Sequence, residues 1–152
     1  MSNALILIPA RYGSSRFPGK PLAKILDKPM IQHVIENCQA SGHDCAVVTD
    51  DERIENTLKE LGLPCVRVDD EVSTGSERIA LAYERFFSKE NYDFIVNVQG
   101  DEPLLKAETI KLLVDYHGKS GFDISTAVKK RNSTEEDFKN PNIVKCVYSE
   151  RD

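Results

Sequence analysis

The chain lacks any apolar run near the roughly 18 residues a membrane span needs, so no segment reads as a transmembrane helix. Its opening Met1-Ser2-Asn3 has neither the basic start nor the small-residue cleavage site of a secretory leader. Cysteine is sparse: Cys38, Cys45, Cys65 and Cys146 form no C-x-x-C pair. Each lies in an apolar pattern and reads as a reduced core residue, not as a metal ligand or redox centre. His33, His43 and His117 are scattered and make no ligand cluster. Positive charge is in deficit, with 20 Lys and Arg against 25 Asp and Glu and a net charge of −5. That excludes general nucleic-acid binding, which wants a basic face. No internal repeat or low-complexity tract is present. These absences describe a soluble protein of the cytoplasm, with no membrane and no nucleic acid among its partners.

What is present is enough for one domain, since 152 residues at 40% hydrophobic can bury a real core. The charge is unevenly spread. Residues 1–30 hold five cations (Arg11, Arg16, Lys20, Lys24, Lys28) and one anion, Asp27, a net of +4, which leaves −9 for the remainder. The basic segment follows an unbroken apolar run, residues 4–8, which reads as a buried parallel strand. The strand ends at Pro9 and opens into Ala10-Arg11-Tyr12-Gly13-Ser14-Ser15-Arg16-Phe17-Pro18-Gly19-Lys20-Pro21. A polar loop at the carboxyl end of such a strand is where open α/β sheets hold ligands. Gly13, Ser14 and Ser15 let backbone N–H groups approach an anion, and Arg11, Arg16 and Lys20 supply three charges. The combination points to a polyphosphate. It is not a P-loop: the glycines are one residue too far apart, and Pro21 stands where a hydroxyl must reach magnesium. Nor is it G-x-G-x-x-G.

Further along, residues 29–40 carry Ile31, Val34, Ile35 and Cys38 at helical spacing, with Pro29 at the start and Gly42 past the end. Residues 45–48 form a second strand, after which Asp50 or Asp51 caps a helix facing inward with Ile54, Leu58 and Leu61. Residues 64–68 give a third strand. Thr74-Gly75-Ser76-Glu77 has the form of a capping box, and the helix behind it turns Ile79, Ala82, Tyr83, Phe86 and Phe87 inward. Arg78 in its first turn is either a surface cation or a ligand-facing one. The fourth strand, residues 94–98, runs into Gln99-Gly100-Asp101-Glu102-Pro103. If it is parallel to the first strand, Asp101 shares an edge with the basic loop. Magnesium wants such a carboxylate together with phosphate oxygens. A helix over residues 104–117, a fifth strand over 123–128, a helical turn over 134–138 and a sixth strand over 142–148 complete the reading. Alternating strands and helices predict an α/β fold, doubly wound, with a mostly parallel sheet and helices on both faces.

Five stretches carry a resemblance: residues 8–22, Lys28-Pro29-Met30-Ile31, Thr74-Gly75-Ser76-Glu77-Arg78, Val96-Asn97-Val98-Gln99-Gly100-Asp101-Glu102-Pro103 and Asn140-Pro141-Asn142-Ile143-Val144-Lys145. In this order they resemble the 3-deoxy-manno-octulosonate (Kdo) cytidylyltransferases, or CMP-Kdo synthetases. The resemblance implies a Rossmann-like nucleotidyltransferase fold and magnesium-dependent transfer of CMP from CTP to Kdo, releasing pyrophosphate, for lipopolysaccharide synthesis. By matching position, the backbone around Ala10 and Arg11 would meet cytosine and ribose, and Pro9 would be a further nucleotide-binding residue. Arg11, Arg16 and Lys20, with the amides of Gly13, Ser14 and Ser15, would hold the triphosphate. Arg78 and Gln99 would lie beside the nucleotide, and Asp101 would hold Mg2+. Arg11, Lys20 and Asp101 are the candidate catalytic residues. Family members are homodimers and continue past the position of Asp152 through the sugar-binding residues and a second metal ligand. On that reading, residues 1–152 are a nucleotide-binding domain truncated at its carboxyl end. Two alternatives stand beside it: a CTP-binding module without turnover, and a sibling enzyme acting on an amino-Kdo or sialic-type acid.

Overall fold

The computed structural model describes residues 3–13, 17–130 and 134–146. The chain divides into two compact units, Met1–Gly121 and Phe122–Asp152. The first contains a fully parallel four-stranded sheet of order β5-β4-β1-β6, built from β1 (Ala4–Ala10), β4 (Asp44–Thr49), β5 (Cys65–Arg67) and β6 (Phe94–Asn97).

β1 is the central strand, and its residues alternate between two cores. Ala4, Ile6, Ile8 and Ala10 face α1 (Met30–Gln39), α2 (Glu52–Glu60) and α4 (Ala107–Ser120), packing with Ile31, Ile35, Ile54, Leu58, Ile110 and Val114. Leu5 and Leu7 face the other way, onto Ile79 and Ala82 of α3 (Gly75–Ala82). A strand buried on both faces has to be apolar throughout, which is why this segment shows no polar alternation. The sheet is therefore doubly wound, as its sequence pattern predicts.

The strand order also fixes where a ligand crevice can lie. From β1 the chain steps outward to β4 and β5 on one side, then returns to place β6 on the other side of β1. Loops leaving the carboxyl ends of β1 and β6 diverge there, and this reversal is where open α/β sheets leave a crevice.

Local signals account for most helix ends. Asp51 caps α2 by accepting from the Arg53 amide at 2.9 Å, which resolves the Asp50-or-Asp51 alternative. The capping box at α3 is complete: Thr74 Oγ1 accepts from the Glu77 amide and Glu77 Oε2 accepts from the Thr74 amide.

The structure adds a hairpin absent from the sequence reading and corrects several expectations. Residues 24–29 form a small antiparallel hairpin, β2 (Lys24–Ile25) with β3 (Lys28–Pro29), turned by Leu26 and Asp27 at φ 48° and 67°. Two consecutive positive φ values are the requirement of a type I′ hairpin turn, but Leu-Asp lacks the glycine that normally announces it. Leu61 lies past the last turn of α2 and is exposed. Phe86 is exposed as well, because α3 runs into a π-helical turn, Tyr83–Phe87. The wider turn shifts the helical register, so Tyr83 and Phe87 pack while Phe86 does not. Cys146 is exposed, unlike the buried Cys38 and Cys45.

In the second unit, residues 123–128 are not a strand, and Ile124 and Val128 are exposed. Apolar alternation becomes a strand only where a ladder and a covering layer bury it, and among the described residues no strand pairs with this one. Residues 142–146 also form no strand, and the remainder of that expected strand lies outside the described residues. The helical turn is present as α5 (Glu135–Lys139), capped by Thr134.

Candidate functional site

The site is built at the carboxyl ends of β1 and β6. Lys20 leaves the β1 loop at the start of a 3-10 turn, Lys20–Leu22, and Asp101 follows β6 by four residues. Lys20 Nζ and Asp101 Oδ2 stand 2.7 Å apart, both exposed. Residues 81 positions apart in sequence thus meet over the point where the strand order reverses.

Glycines make this approach possible. A Cβ at Gly100 would lie 2.7 Å from the Pro9 carbonyl oxygen, so only glycine lets the β6 loop cross so close to β1. Gly75, at the first turn of α3, lies against the Pro9 ring, where a Cβ would come within 3.2 Å. The amino end of α3 is thereby brought beside the carboxyl end of β1. Gly19 has φ 73° and donates its amide to the Tyr12 carbonyl at 2.8 Å, closing the basic loop on itself.

The remaining predicted residues are placed as follows. Pro9 is half-buried and Ala10 buried at the end of β1. Arg11 is exposed; its Nη2 donates to the Val72 carbonyl at 2.8 Å and its Nε is 3.7 Å from Asp50. Gly13 has open space around it. Ser14, Ser15 and Arg16 lie outside the described residues. Gln99 is exposed beyond β6, with Nε2 donating to Asn97 Oδ1 at 3.2 Å.

Arg78 is neither a surface cation nor an exposed ligand-facing one. It is 1% exposed, the largest fully buried side chain among the described residues. Its Nη1 donates to the Val68 carbonyl, its Nη2 pairs with Asp50 Oδ2 at 2.9 Å, and its Nε has no partner. A guanidinium buried in this way needs a counter-charge, and Asp50 supplies it from the end of β4.

Asp50 thus joins the candidate site through its pairs with Arg78 and Arg11, although the sequence showed it only as half of an acidic doublet. Tyr12 and Arg53 join it as well. The Arg53 guanidinium lies 3.2 Å from the centroid of the Tyr12 ring, and Arg53 also makes a two-point contact with Asp51 at 2.9 and 2.7 Å. That contact holds the Asp51 carboxyl below its usual range. No periodicity or motif could have flagged a partnership across 41 residues of chain.

As to metals, no group of three or more His, Cys, Asp or Glu residues converges among the described residues. Asp101 offers one exposed carboxylate beside a cationic loop. That donor set suits magnesium, which commonly takes one or two carboxylates and completes its shell with phosphate oxygens and water.

Chemically, the crevice offers fixed cations, a close-approaching backbone and one hard oxygen ligand, the equipment for holding a polyphosphate. A cytidylyltransferase family model matches residues 5–152. The 3-deoxy-manno-octulosonate cytidylyltransferase of Thermodesulfovibrio yellowstonii is 41% identical over 150 residues, covering 95% of this chain and 58% of the relative. The 8-amino-3,8-dideoxy-manno-octulosonate cytidylyltransferase of Shewanella halifaxensis is 43% identical over 151 residues, covering 96% of this chain and 60% of the relative. A solved CMP:2-keto-3-deoxy-manno-octonic acid synthetase complexed with CTP superposes with a TM-score of 0.71 at 36% identity, over 79% of this chain and 49% of that one. The chain therefore spans a little over half the length of the curated relatives it matches.

Proposed function

The chain belongs to the cytidylyltransferase family, and we propose that its crevice over β1 and β6 binds CTP for transfer of CMP to a Kdo-type sugar acid. The observation that carries this is the 2.7 Å meeting of Lys20 and Asp101 at the reversal of strand order. In the free chain the two satisfy each other. A magnesium–triphosphate unit offers anionic oxygens to the lysine and a cation to the carboxylate.

In the reaction, the sugar's anomeric hydroxyl forms a bond to the α-phosphorus while the bond from that phosphorus to the α–β bridging oxygen breaks. Pyrophosphate leaves with the bonding pair, and the hydroxyl proton is released. Catalysis of such a step is mainly positioning and charge stabilisation. Arg11, Arg16 and Lys20, with the amides of Gly13, Ser14 and Ser15, hold the triphosphate. The backbone at Pro9, Ala10 and Arg11 faces the cytosine and ribose, with Gln99 beside them. Arg78 acts from beneath this surface, through Asp50. Asp101 is the magnesium ligand, and Mg2+ when bound neutralises phosphate charge. The same reading makes the whole protein a cytoplasmic homodimer serving lipopolysaccharide synthesis. No helix among the described residues is long and apolar enough to cross a membrane.

The resemblance to the Shewanella protein favours a second acceptor, the 8-amino sugar acid, at the same nucleotide site. The residues assigned to nucleotide handling lie between Pro9 and Asp101, so this chain binds CTP on its own while turnover requires an acceptor site as well.

The test is calorimetric titration of this chain with CTP, UTP and GTP in magnesium. A turnover assay accompanies it, with Kdo and 8-amino-Kdo, on this chain and on a version extended to the relatives' length. Selective CTP binding by both, and CMP-sugar formation by the longer one, is the expected result. Equal affinity for all three nucleotides would overturn the cytidine assignment, and full turnover by the shorter chain would place the acceptor site within residues 1–152.

A further inference from the structure

The basic loop is tied near its two ends, at Tyr12 and at Gly19, through one aromatic ring. Tyr12 stands one residue beyond Arg11. One contact of its ring is the Arg53 guanidinium, 3.2 Å from the centroid. Arg53 cannot drift from this position freely, because Asp51 holds it by two hydrogen bonds. Asp51 is itself fixed as the N-cap of α2. A second contact of the ring is the backbone at Gly19, whose missing Cβ would lie only 3.0 Å from the ring, and the ring also packs against the core cluster that holds Ile31 and Ile54. Gly19 has the left-handed φ of 73° and gives its amide to the Tyr12 carbonyl at 2.8 Å. The next residue is Lys20, which reaches Asp101. A line of contacts therefore runs from the cap of α2, through Arg53 and the Tyr12 ring, to the backbone that carries Lys20.

We propose that Tyr12 is a positioning residue for nucleotide binding: its ring, between Arg53 and Gly19, holds Lys20 at the crevice. The proposal rests on the CTP reading above and adds to it a residue that touches no reacting atom. Its physical basis is preorganisation, since a lysine already held in place loses less freedom when it takes up a phosphate. A cation over an aromatic face needs the flat ring of an aromatic side chain, and the Gly19 backbone comes close to the Cζ, Cε2 and hydroxyl atoms of the same ring. Phenylalanine keeps that face. Leucine keeps apolar bulk but loses it.

The experiment compares Tyr12→Leu, Tyr12→Phe and Arg53→Leu, each alone and combined with Lys20→Ala, by CTP titration in magnesium. In parallel, hydrogen exchange of the Gly19 amide is followed in the free variants. Tyr12→Leu is expected to weaken CTP about fivefold to tenfold and to speed Gly19 exchange by about tenfold. Tyr12→Phe should match the parent in both. In the Lys20→Ala background the further loss from Tyr12→Leu should shrink to less than twofold, because residues acting through one contact are non-additive. If Tyr12→Leu does not fold, Arg53→Leu on the surface of α2 provides the same cycle. Three results overturn the proposal: unchanged CTP affinity and Gly19 exchange in Tyr12→Leu, an equal loss with and without Lys20, or a loss in Tyr12→Phe as large as in Tyr12→Leu. Failure of the parent chain to bind CTP, with Gly19 exchange still quickened by Tyr12→Leu, sinks the nucleotide assignment and leaves the clamp standing as the holder of Lys20.

Discussion

Asp50 stands between two arginines, 2.9 Å from the buried Arg78 and 3.7 Å from the exposed Arg11, so one carboxylate at the end of β4 serves both. The two pairs differ in weight. Attraction between exposed charges is largely screened, whereas a guanidinium sealed in the core depends on its counter-ion.

Removing that carboxylate should therefore cost stability first. Asp50→Ala leaves the Arg78 charge uncompensated beneath α3, with its Nε already unpartnered. A loss of about 3 kcal/mol is expected in urea unfolding, with Asp50→Asn losing less. A loss below about 0.5 kcal/mol would mean that the Val68 carbonyl and solvent suffice for Arg78.

Lys20 should behave in the opposite manner. Its pair with Asp101 is exposed on both sides, so Lys20→Ala should change unfolding free energy by less than about 1 kcal/mol. Loss of a charge-assisted phosphate contact, roughly 1.5–3 kcal/mol, should lower CTP affinity about tenfold or more. If the protein unfolds and its surviving folded fraction binds CTP normally, the lysine is structural.

For Asp101→Asn, the shape and most hydrogen bonding remain while the ionic ligand is lost. Magnesium enhancement of CTP binding should weaken sharply. Metal-free binding should hold or improve, because a negative charge near the triphosphate has gone. A magnesium titration identical to that of the parent would falsify the ligand role.

Gly100 and Gly13 make a matched pair for mutation. Gly100→Ala forces a Cβ to 2.7 Å from the Pro9 carbonyl oxygen, which is backbone and yields little, so a loss of about 1–3 kcal/mol and weaker CTP binding are expected. Gly13→Ala meets nothing within 4 Å and should leave stability nearly unchanged. Equal thermal shifts in the two variants would mean that β6 moves away from β1 without penalty.

Acid should destabilise the fold through its paired carboxylates. Glu36 is held below the usual carboxylate range chiefly by hydrogen bonding to Lys28, Asp51 by Arg53, Glu55 by Lys59 and Glu77 by Ser73. A carboxyl with a lowered folded value favours the folded state once ionised. That contribution is complete above the ordinary values of 3.8 for Asp and 4.5 for Glu, and it is lost as pH falls through the lower folded values. Urea midpoints should be level above about pH 5 and fall steadily below about pH 4. A flat profile down to pH 2 would show that these pairings contribute nothing to folding.

Much of this was legible in one dimension. The apolar run of β1, the capping box at Thr74 and Glu77 and the doubly wound order of elements are local patterns. They are set by backbone sterics and by which residues must leave water, and periodicity reports both. The basic loop and Asp101 could be named for the same reason: each lies in the loop that leaves a strand. The failures were also physical. The turn at Leu26 and Asp27 carries no glycine, the π-helical turn at Tyr83–Phe87 breaks helical periodicity, and residues 123–128 have a strand pattern but no ladder among the described residues.

By itself the sequence determined the four parallel strands and the helices packed on them, which loop carries the positive charge, and to which family the chain belongs. Tertiary structure alone decided which charges meet. Lys20 finds Asp101 only because the strand order reverses at β1, and Asp50 rather than Asp51 receives Arg78 because Asp51 is engaged in capping α2. Tyr12 becomes the rest for Gly19 and Arg53 only when α2 packs beside the loop. Pairings across tens of residues depend on topology and packing, and composition and local periodicity carry no record of either.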